Sequence, residues 1–138
     1  MTEWPDGSPV SHFTVEPMPP STNNLYGNHP GGRHKTPAYK RWAEAAGWHI
    51  VQQKPPSVLG HHLAVLIAGP LRVDVDNIKA LLDLLSMPVA GKSGVRLGII
   101  EDDRFIDDLR IVRAPQGAPL AVSIWSLENE GFVGGKAG

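Results

Sequence analysis

The 138-residue chain contains no cysteine, which excludes both a disulfide framework and a cysteine-ligated zinc site. Long apolar runs are also missing, because the longest, residues 63–68, is too short to span a bilayer. The first ten residues contain Pro5 and two acids but no apolar segment typical of a signal peptide. These absences predict a protein of the cytoplasm that does not associate with membranes.

The chain also has no large excess of charge of one sign. It contains 13 basic and 14 acidic residues, and its net charge is −1. Such a balance is not the strongly basic signature of many nucleic-acid-binding domains. The charges are nevertheless unevenly placed. Residues 28–54 hold five basic side chains and one acid, whereas residues 101–108 hold five acids and one arginine. The first segment is therefore a candidate for binding phosphates and the second for binding a cation.

Apolar periodicity and turn residues divide the chain into alternating strands and helices. Strands are predicted at residues 12–16, 61–68, 105–113 and 120–127. One helix is predicted from the Thr36 cap and Pro37 up to the prolines at 55 and 56, and a second from an Asp76 or Asn77 cap to Pro88. Residues 21–36 are predicted to form a loop, and the last two strands to be antiparallel neighbours.

This order of elements predicts an α/β (α+β) fold in which a small mixed sheet carries two main helices. The hydrophobic share of 41% and the charged share of 20% are typical of a single globular domain. We therefore expect one domain over residues 1–138, with loose tails at residues 1–10 and 128–138.

The Asp74-x-Asp76 pair is the first candidate for chemistry. In an extended backbone, residues two apart face the same side, so both carboxylates would share one space. Paired carboxylates repel unless a cation lies between them, and hard oxygen ligands favour Mg²⁺ or Mn²⁺. The alternative is a solvated turn that caps a helix.

The acidic run Glu101-Asp102-Asp103 precedes a predicted strand and is the second candidate, with a charged turn as the alternative. Lys79 is the third. On a helical wheel it lies on the same side as Asp76 and Asp83, opposite the leucine face, where it is placed to stabilise charge on a reacting phosphate. The alternative for Lys79 is a surface ion pair with Asp83.

Three segments together resemble the RusA family of Holliday-junction resolvases, over residues 13–127. They are Pro19-Pro20-Ser21-Thr22-Asn23, then Asp74-Val75-Asp76-Asn77 opening a leucine-rich helix with Lys79 and Asp83, then Gly98-Ile99-Ile100-Glu101-Asp102-Asp103 followed by Ile106 and a strand ending at Arg113. The resemblance implies a homodimer, of a type common in bacteriophages and prophages. It implies that this dimer binds four-way DNA junctions in a bacterial cell and cuts them with Mg²⁺ or Mn²⁺.

The resemblance also implies roles for individual residues. The metal-binding carboxylates fall on Asp74, Asp76 and Asp103, with Asp102 as the neighbouring acid, and the catalytic lysine falls on Lys79. This lysine stands one residue closer to the first aspartate than is usual in the family. Regions expected near DNA correspond to a separate set: Asn23, Arg33, Lys35 and Tyr39.

Two alternative functions remain open at this point. One is a nuclease of the same chemistry that prefers flaps or forks, because selectivity for branched structures depends on dimer geometry. The other is a non-catalytic DNA-binding dimer that retains the fold. The carboxylates argue against this second alternative, since acids near phosphates do not help a protein that only binds DNA.

Overall fold

The computed structural model describes residues 7–19, 26–29, 32–35, 37–69, 75–88, 95–115 and 117–127, with the backbone alone for 26–29, 32–35 and 75–77. We number its strands and helices in chain order. The strands are β1 (Ser11–Val15), β2 (Tyr26–His29), β3 (Gly32–Lys35), β4 (Leu63–Gly69), β5 (Ile106–Arg113) and β6 (Leu120–Ser126). The helices are α1 (Pro37–Gln52) and α2 (Val75–Leu85), and a short 3₁₀ turn spans Asp103–Phe105.

The main sheet has four strands in the order β1-β6-β4-β5. Strand β5 runs parallel to β4, whereas β6 runs antiparallel to both β4 and β1. The predicted mixed sheet with two helices is thus confirmed. The last two strands, β5 and β6, run antiparallel as predicted, but they do not pair, because β4 lies between them. β4 is apolar on both faces and so takes an inner position, while β5 carries charged residues on both faces, as suits an edge strand.

Residues 21–36 were expected to be a loop, and the structure corrects this over its described part. Strands β2 and β3 pair antiparallel there, with His29 opposite Gly32. Pro30 and Gly31 stand between them in the sequence and are residues typical of turns. The hairpin lacks the alternation of large apolar residues by which strands are usually recognised, which is why its sequence suggests a loop.

One core joins both helices to one face of the sheet. From α1 it takes Tyr39, Trp42 and Ile50, and from the centre of the sheet Val65 and Ile67. The leucine face predicted for α2 is confirmed, because Ile78, Leu81, Leu82 and Leu85 are all buried. Among the described helices, none is long and apolar enough to cross a membrane.

Helix α2 begins at Val75, earlier than predicted. Asp76 and Asn77 therefore lie inside the first helical turn and do not cap the helix. The sequence argument that placed Asp74 and Asp76 on one side of an extended backbone is wrong for the same reason, since Asp76 is helical. Asp74 itself lies outside the described residues.

The free edge of β1 is covered by a side chain from the end of α1. Gln53 Nε2 donates to the Thr14 carbonyl oxygen at 2.8 Å, and Gln53 Oε1 accepts from the Thr14 amide at 2.9 Å. These two bonds replace those a neighbouring strand would supply. Before β1, Val10 donates to the Ile124 carbonyl at 2.8 Å, so the described end of the predicted N-terminal tail already lies along the sheet.

Candidate metal and nucleic-acid site

The acidic segment is anchored against the end of α2 by backbone hydrogen bonds. The amides of Leu97, Ile99 and Ile100 donate to the carbonyls of Leu84 and Leu85, at distances of 2.8 to 3.0 Å. The last carbonyls of a helix have no partner within the helix, and these bonds satisfy them. Because Ile99 and Ile100 are also buried, the segment that carries the acids is fixed in place beside α2.

Asp102 shapes the turn that follows. Its backbone is extended, and its side chain accepts a hydrogen bond from the Arg104 amide at 3.1 Å. The Arg104 Nε atom lies 3.8 Å from the other carboxylate oxygen of Asp102. Asp102 thus caps the short turn in which Asp103 is the first residue, immediately before β5.

Asp102 and Asp103 each influence the pKa of the other. Burial, the hydrogen bond with Asp102 and the negative charge of Asp102 raise the pKa of Asp103 above its ordinary value. The backbone hydrogen bond from Arg104 and the bond with Asp103 lower the pKa of Asp102. Asp103 is therefore the member of the pair that is protonated first as the pH falls.

Helix α2 contributes two further charges to this site. The positive charge of Lys79 lowers the pKa of Asp103, and the negative charge of Asp83 raises it. Lys79 and Asp83 are four residues apart on α2, on the side away from the leucine face. The charges on this side of the helix therefore act on the acidic turn. The sequence had suggested Asp83 only as an ion-pair partner of Lys79; its effect on Asp103 depends on the folded position of the turn.

The structure describes the other predicted metal ligands, Asp74 and Asp76, only in part. Asp74 lies outside the described residues, and for Asp76 the structure gives the backbone position in the first turn of α2. Among the side chains that the structure describes, no group of three acids or histidines forms a metal site. The described part of the candidate site therefore consists of Asp102, Asp103 and the two charged residues of α2.

The chemistry of these residues fits a hard divalent cation. The donors are carboxylate oxygens, which Mg²⁺ and Mn²⁺ prefer. Burial is the largest cause of the raised pKa of Asp103, and a cation beside this carboxylate would favour its ionised form.

The predicted DNA-contacting residues fall in different places. Arg33 and Lys35 lie on β3, at the hairpin before α1, and Asn23 lies outside the described residues. Tyr39 is only 4% exposed, its hydroxyl donates to the Ala80 carbonyl at 3.5 Å, and its ring meets Trp42 edge-on. This position joins α1 to α2 and is not a DNA-facing surface, so the prediction for Tyr39 does not agree with the structure.

A stack of side chains flanks the acidic turn and was missed in the sequence. The His61 and Phe105 rings lie parallel with centroids 4.2 Å apart, and the Arg104 guanidinium lies 4.9 Å from the Phe105 centroid. His61 Nε2 is also 4.0 Å from a Glu101 carboxylate oxygen. These contacts link the start of β4 to the turn and support its conformation.

Comparisons with known proteins add no identification, because no protein-family model matches the chain and no curated protein matches it.

Proposed function

We propose that this chain is a divalent-metal-dependent endonuclease that resolves four-way DNA junctions by phosphodiester hydrolysis, in DNA recombination and repair. The observation that carries the proposal is Asp103, a partly buried acid with a raised pKa, paired with Asp102 and influenced by Lys79. The resemblance of the segments around Asp74, Lys79 and Asp103 to RusA resolvases supports the same conclusion.

Mg²⁺ or Mn²⁺ would be held by Asp102 and Asp103, together with Asp74 and Asp76 from the segment that leads into α2. When bound, the cation would polarise the scissile phosphate and lower the pKa of an attacking water molecule. The residues of the chain perform the remaining tasks. Lys79 would donate hydrogen bonds to the oxygen on which negative charge develops.

DNA binding is assigned to the basic hairpin. Arg33 and Lys35 on β3 would neutralise backbone phosphates and position the duplex, a contribution that weakens as salt rises. A homodimer would present two sites related by a two-fold axis. That symmetry matches the approximate symmetry of a four-way junction and leads to paired cuts on opposite strands.

The test is cleavage of a labelled synthetic four-way junction in Mg²⁺, in Mn²⁺ and in EDTA, with flap, fork and linear duplex substrates in parallel. We expect paired, metal-dependent nicks in the junction. Asp103→Asn should abolish them without loss of folding. Asp107→Asn is the matched control, because it neutralises an exposed acid near the turn whose carboxylate contacts His62 at 2.8 Å.

The other outcomes discriminate among the alternatives. Preferential cutting of flaps or forks would retain the site and change the substrate. Binding of the junction without cutting in either metal would contradict the enzymatic proposal and favour a DNA-binding dimer. Equal activity of the wild type and Asp103→Asn would show that the site is assigned to the wrong residues.

A further inference from the structure

The outer edge of β5 is open and partly apolar. Strand β5 is the last strand of the sheet, and among the described strands only β4 pairs with it. Leu109, Ile111 and Val112 are 39%, 46% and 45% exposed. Exposed edge strands with apolar side chains readily pair with another chain, and proteins usually protect them. The opposite edge of the same sheet has such protection, because Gln53 covers Thr14 of β1.

When two copies of β5 are placed side by side in opposite directions, their facing charged residues are opposite in sign. Acidic Asp108 precedes Arg110, and both side chains are more than a third exposed on the same face of the strand. Within the chain, Arg110 Nε lies 3.4 Å from Asp108 Oδ1, so a partner copy would extend an existing pair of opposite charges. If two copies of β5 paired parallel, aspartate would oppose aspartate and arginine would oppose arginine. If they paired antiparallel about Leu109, each Asp108 would oppose the partner copy's Arg110, which is the favourable arrangement for cross-strand neighbours.

We propose that two copies of this chain pair antiparallel through their β5 edges, about a two-fold axis beside Leu109, to form a continuous eight-stranded sheet. The axis is perpendicular to the sheet, so the helices of both copies lie on the same side. The Leu109 side chains meet at the axis, and Asp108 and Arg110 form two symmetric pairs around it. The apolar edge becomes buried, and the main sheet of each copy loses its unpaired β5 edge.

This inference deepens the proposed function, because it supplies the dimer surface for two cutting sites. Ile106 begins β5 directly after the turn that carries Asp103. At about 3.4 Å per residue, Ile106 lies roughly 10 Å from the axis, which separates the two copies of Ile106 by about 20 Å along the strands. The two acidic turns therefore lie on opposite sides of the axis, as paired cuts require.

Charge reversal tests the surface. Asp108→Arg makes the exposed charges of this edge positive, and Arg110→Asp makes them negative. We expect the wild type to sediment as a dimer, and each single variant to show a dimer dissociation constant about 10- to 100-fold higher. An equimolar mixture of the two variants should form a heterodimer of wild-type affinity, because each edge then opposes its complement. The double variant should also dimerise. Circular dichroism checks that every variant is folded.

A cysteine cross-link tests the register. The chain has no cysteine of its own, so Leu109→Cys introduces the only thiol. Directly opposed residues of antiparallel strands lie 4.5 to 5.5 Å apart between Cα atoms, which a disulfide spans. We expect near-complete oxidation to a disulfide-linked dimer, and far less for Leu59→Cys, which is also exposed but lies before β4.

A wild type that stays monomeric at all concentrations, single variants that dimerise like the wild type, or a mixture that does not associate would each overturn the proposal. Junction cleavage by the same samples separates this result from the proposed function. A monomer that cuts would refute the β5 interface and retain the nuclease. A β5-linked dimer that cuts nothing would refute the proposed nuclease and retain the β5 interface.

Discussion

Asp102 accepts a hydrogen bond from the Arg104 amide at 3.1 Å, which lowers the pKa of Asp102, whereas burial raises the pKa of its neighbour Asp103. The Arg104 amide stabilises negative charge on Asp102, while burial and the nearby charges of Asp102 and Asp83 oppose negative charge on Asp103. A divalent cation would offset the negative charge on Asp103, and the acidic turn is accordingly a place where stability and function are expected to conflict.

Asp103→Asn is expected to stabilise the metal-free protein at neutral pH. The folded-state pKa of Asp103 lies above its unfolded value, so the stability contributed by Asp103 is fully present below the unfolded pKa and is lost as pH rises through the folded pKa. Asparagine stays neutral and avoids this loss. We expect a melting temperature higher by on the order of 1–3 °C at pH 7 in EDTA, with the difference disappearing towards pH 3.

Differential scanning fluorimetry across this pH range measures the effect, and Glu44→Gln is the control because it neutralises an exposed acid on α1. The control should leave the melting temperature unchanged. A melting temperature of Asp103→Asn that falls at pH 7 would mean that the ionised carboxylate makes a net stabilising contact.

Divalent cations should stabilise the wild type and leave Asp103→Asn nearly unaffected. A ligand that binds only the folded state at about 100 times its dissociation constant adds roughly 2.7 kcal/mol to the free energy of unfolding. We expect Mg²⁺ and Mn²⁺ to raise the melting temperature in a concentration-dependent manner that EDTA reverses. An equal rise in both proteins would place the cation away from Asp103.

The main sheet and the helices were largely predictable, because their residues carry local signals. The apolar run from Leu63 identifies β4, Pro37 marks the start of α1, and the leucine spacing defines the buried face of α2. The pairing partners were not predictable in the same way. Which strand lies beside which depends on contacts between residues far apart in the chain, and β4 separates β5 from β6 although they are consecutive.

The candidate site shows the same division between local and long-range information. Residue types and spacing indicated Lys79 and Asp103, but the opposite pKa shifts of Asp102 and Asp103 depend on burial and on an amide that only the folded turn supplies. Tyr39 illustrates the reverse case. The resemblance to RusA resolvases implies a position near DNA for Tyr39, whereas the structure buries its side chain between α1 and α2 and gives it a packing role.

Lys79→Met should slow junction cleavage with little change in junction binding. Loss of one preorganised donor to the developing charge typically costs a factor of about 10² to 10³ in rate. Lys79→Arg should retain part of the activity, because the positive charge remains although its geometry differs. Single-turnover cleavage and a gel-shift titration separate the two effects. A Lys79→Met enzyme that cuts at the wild-type rate would leave the lysine only a surface role on α2.

Arg33→Ala and Lys35→Ala should weaken junction binding and reduce its dependence on salt. Each lost phosphate contact lowers the slope of log affinity against log salt by about 1. Tyr39→Phe is the contrasting variant, because removing its hydroxyl affects the contact with Ala80 and should cost up to about 1 kcal/mol of stability while the salt slope stays the same. A reduced slope for Tyr39→Phe would contradict the packing role.

Gln53→Ala should destabilise the sheet at β1. The Gln53 side chain donates to the Thr14 carbonyl and accepts from the Thr14 amide, so alanine leaves both backbone groups to solvent. Each hydrogen bond contributes about 0.5–1.5 kcal/mol, and exposure of this site places the expected loss near 1–2 kcal/mol. Urea denaturation measures the loss, and hydrogen exchange should show faster exchange of the Thr14 amide. Gln52→Ala is the matched control on the neighbouring exposed residue. Equal destabilisation by both variants would trace the effect to the end of α1, since Gln53 bonds to Thr14 of β1 and no such bond is described for Gln52.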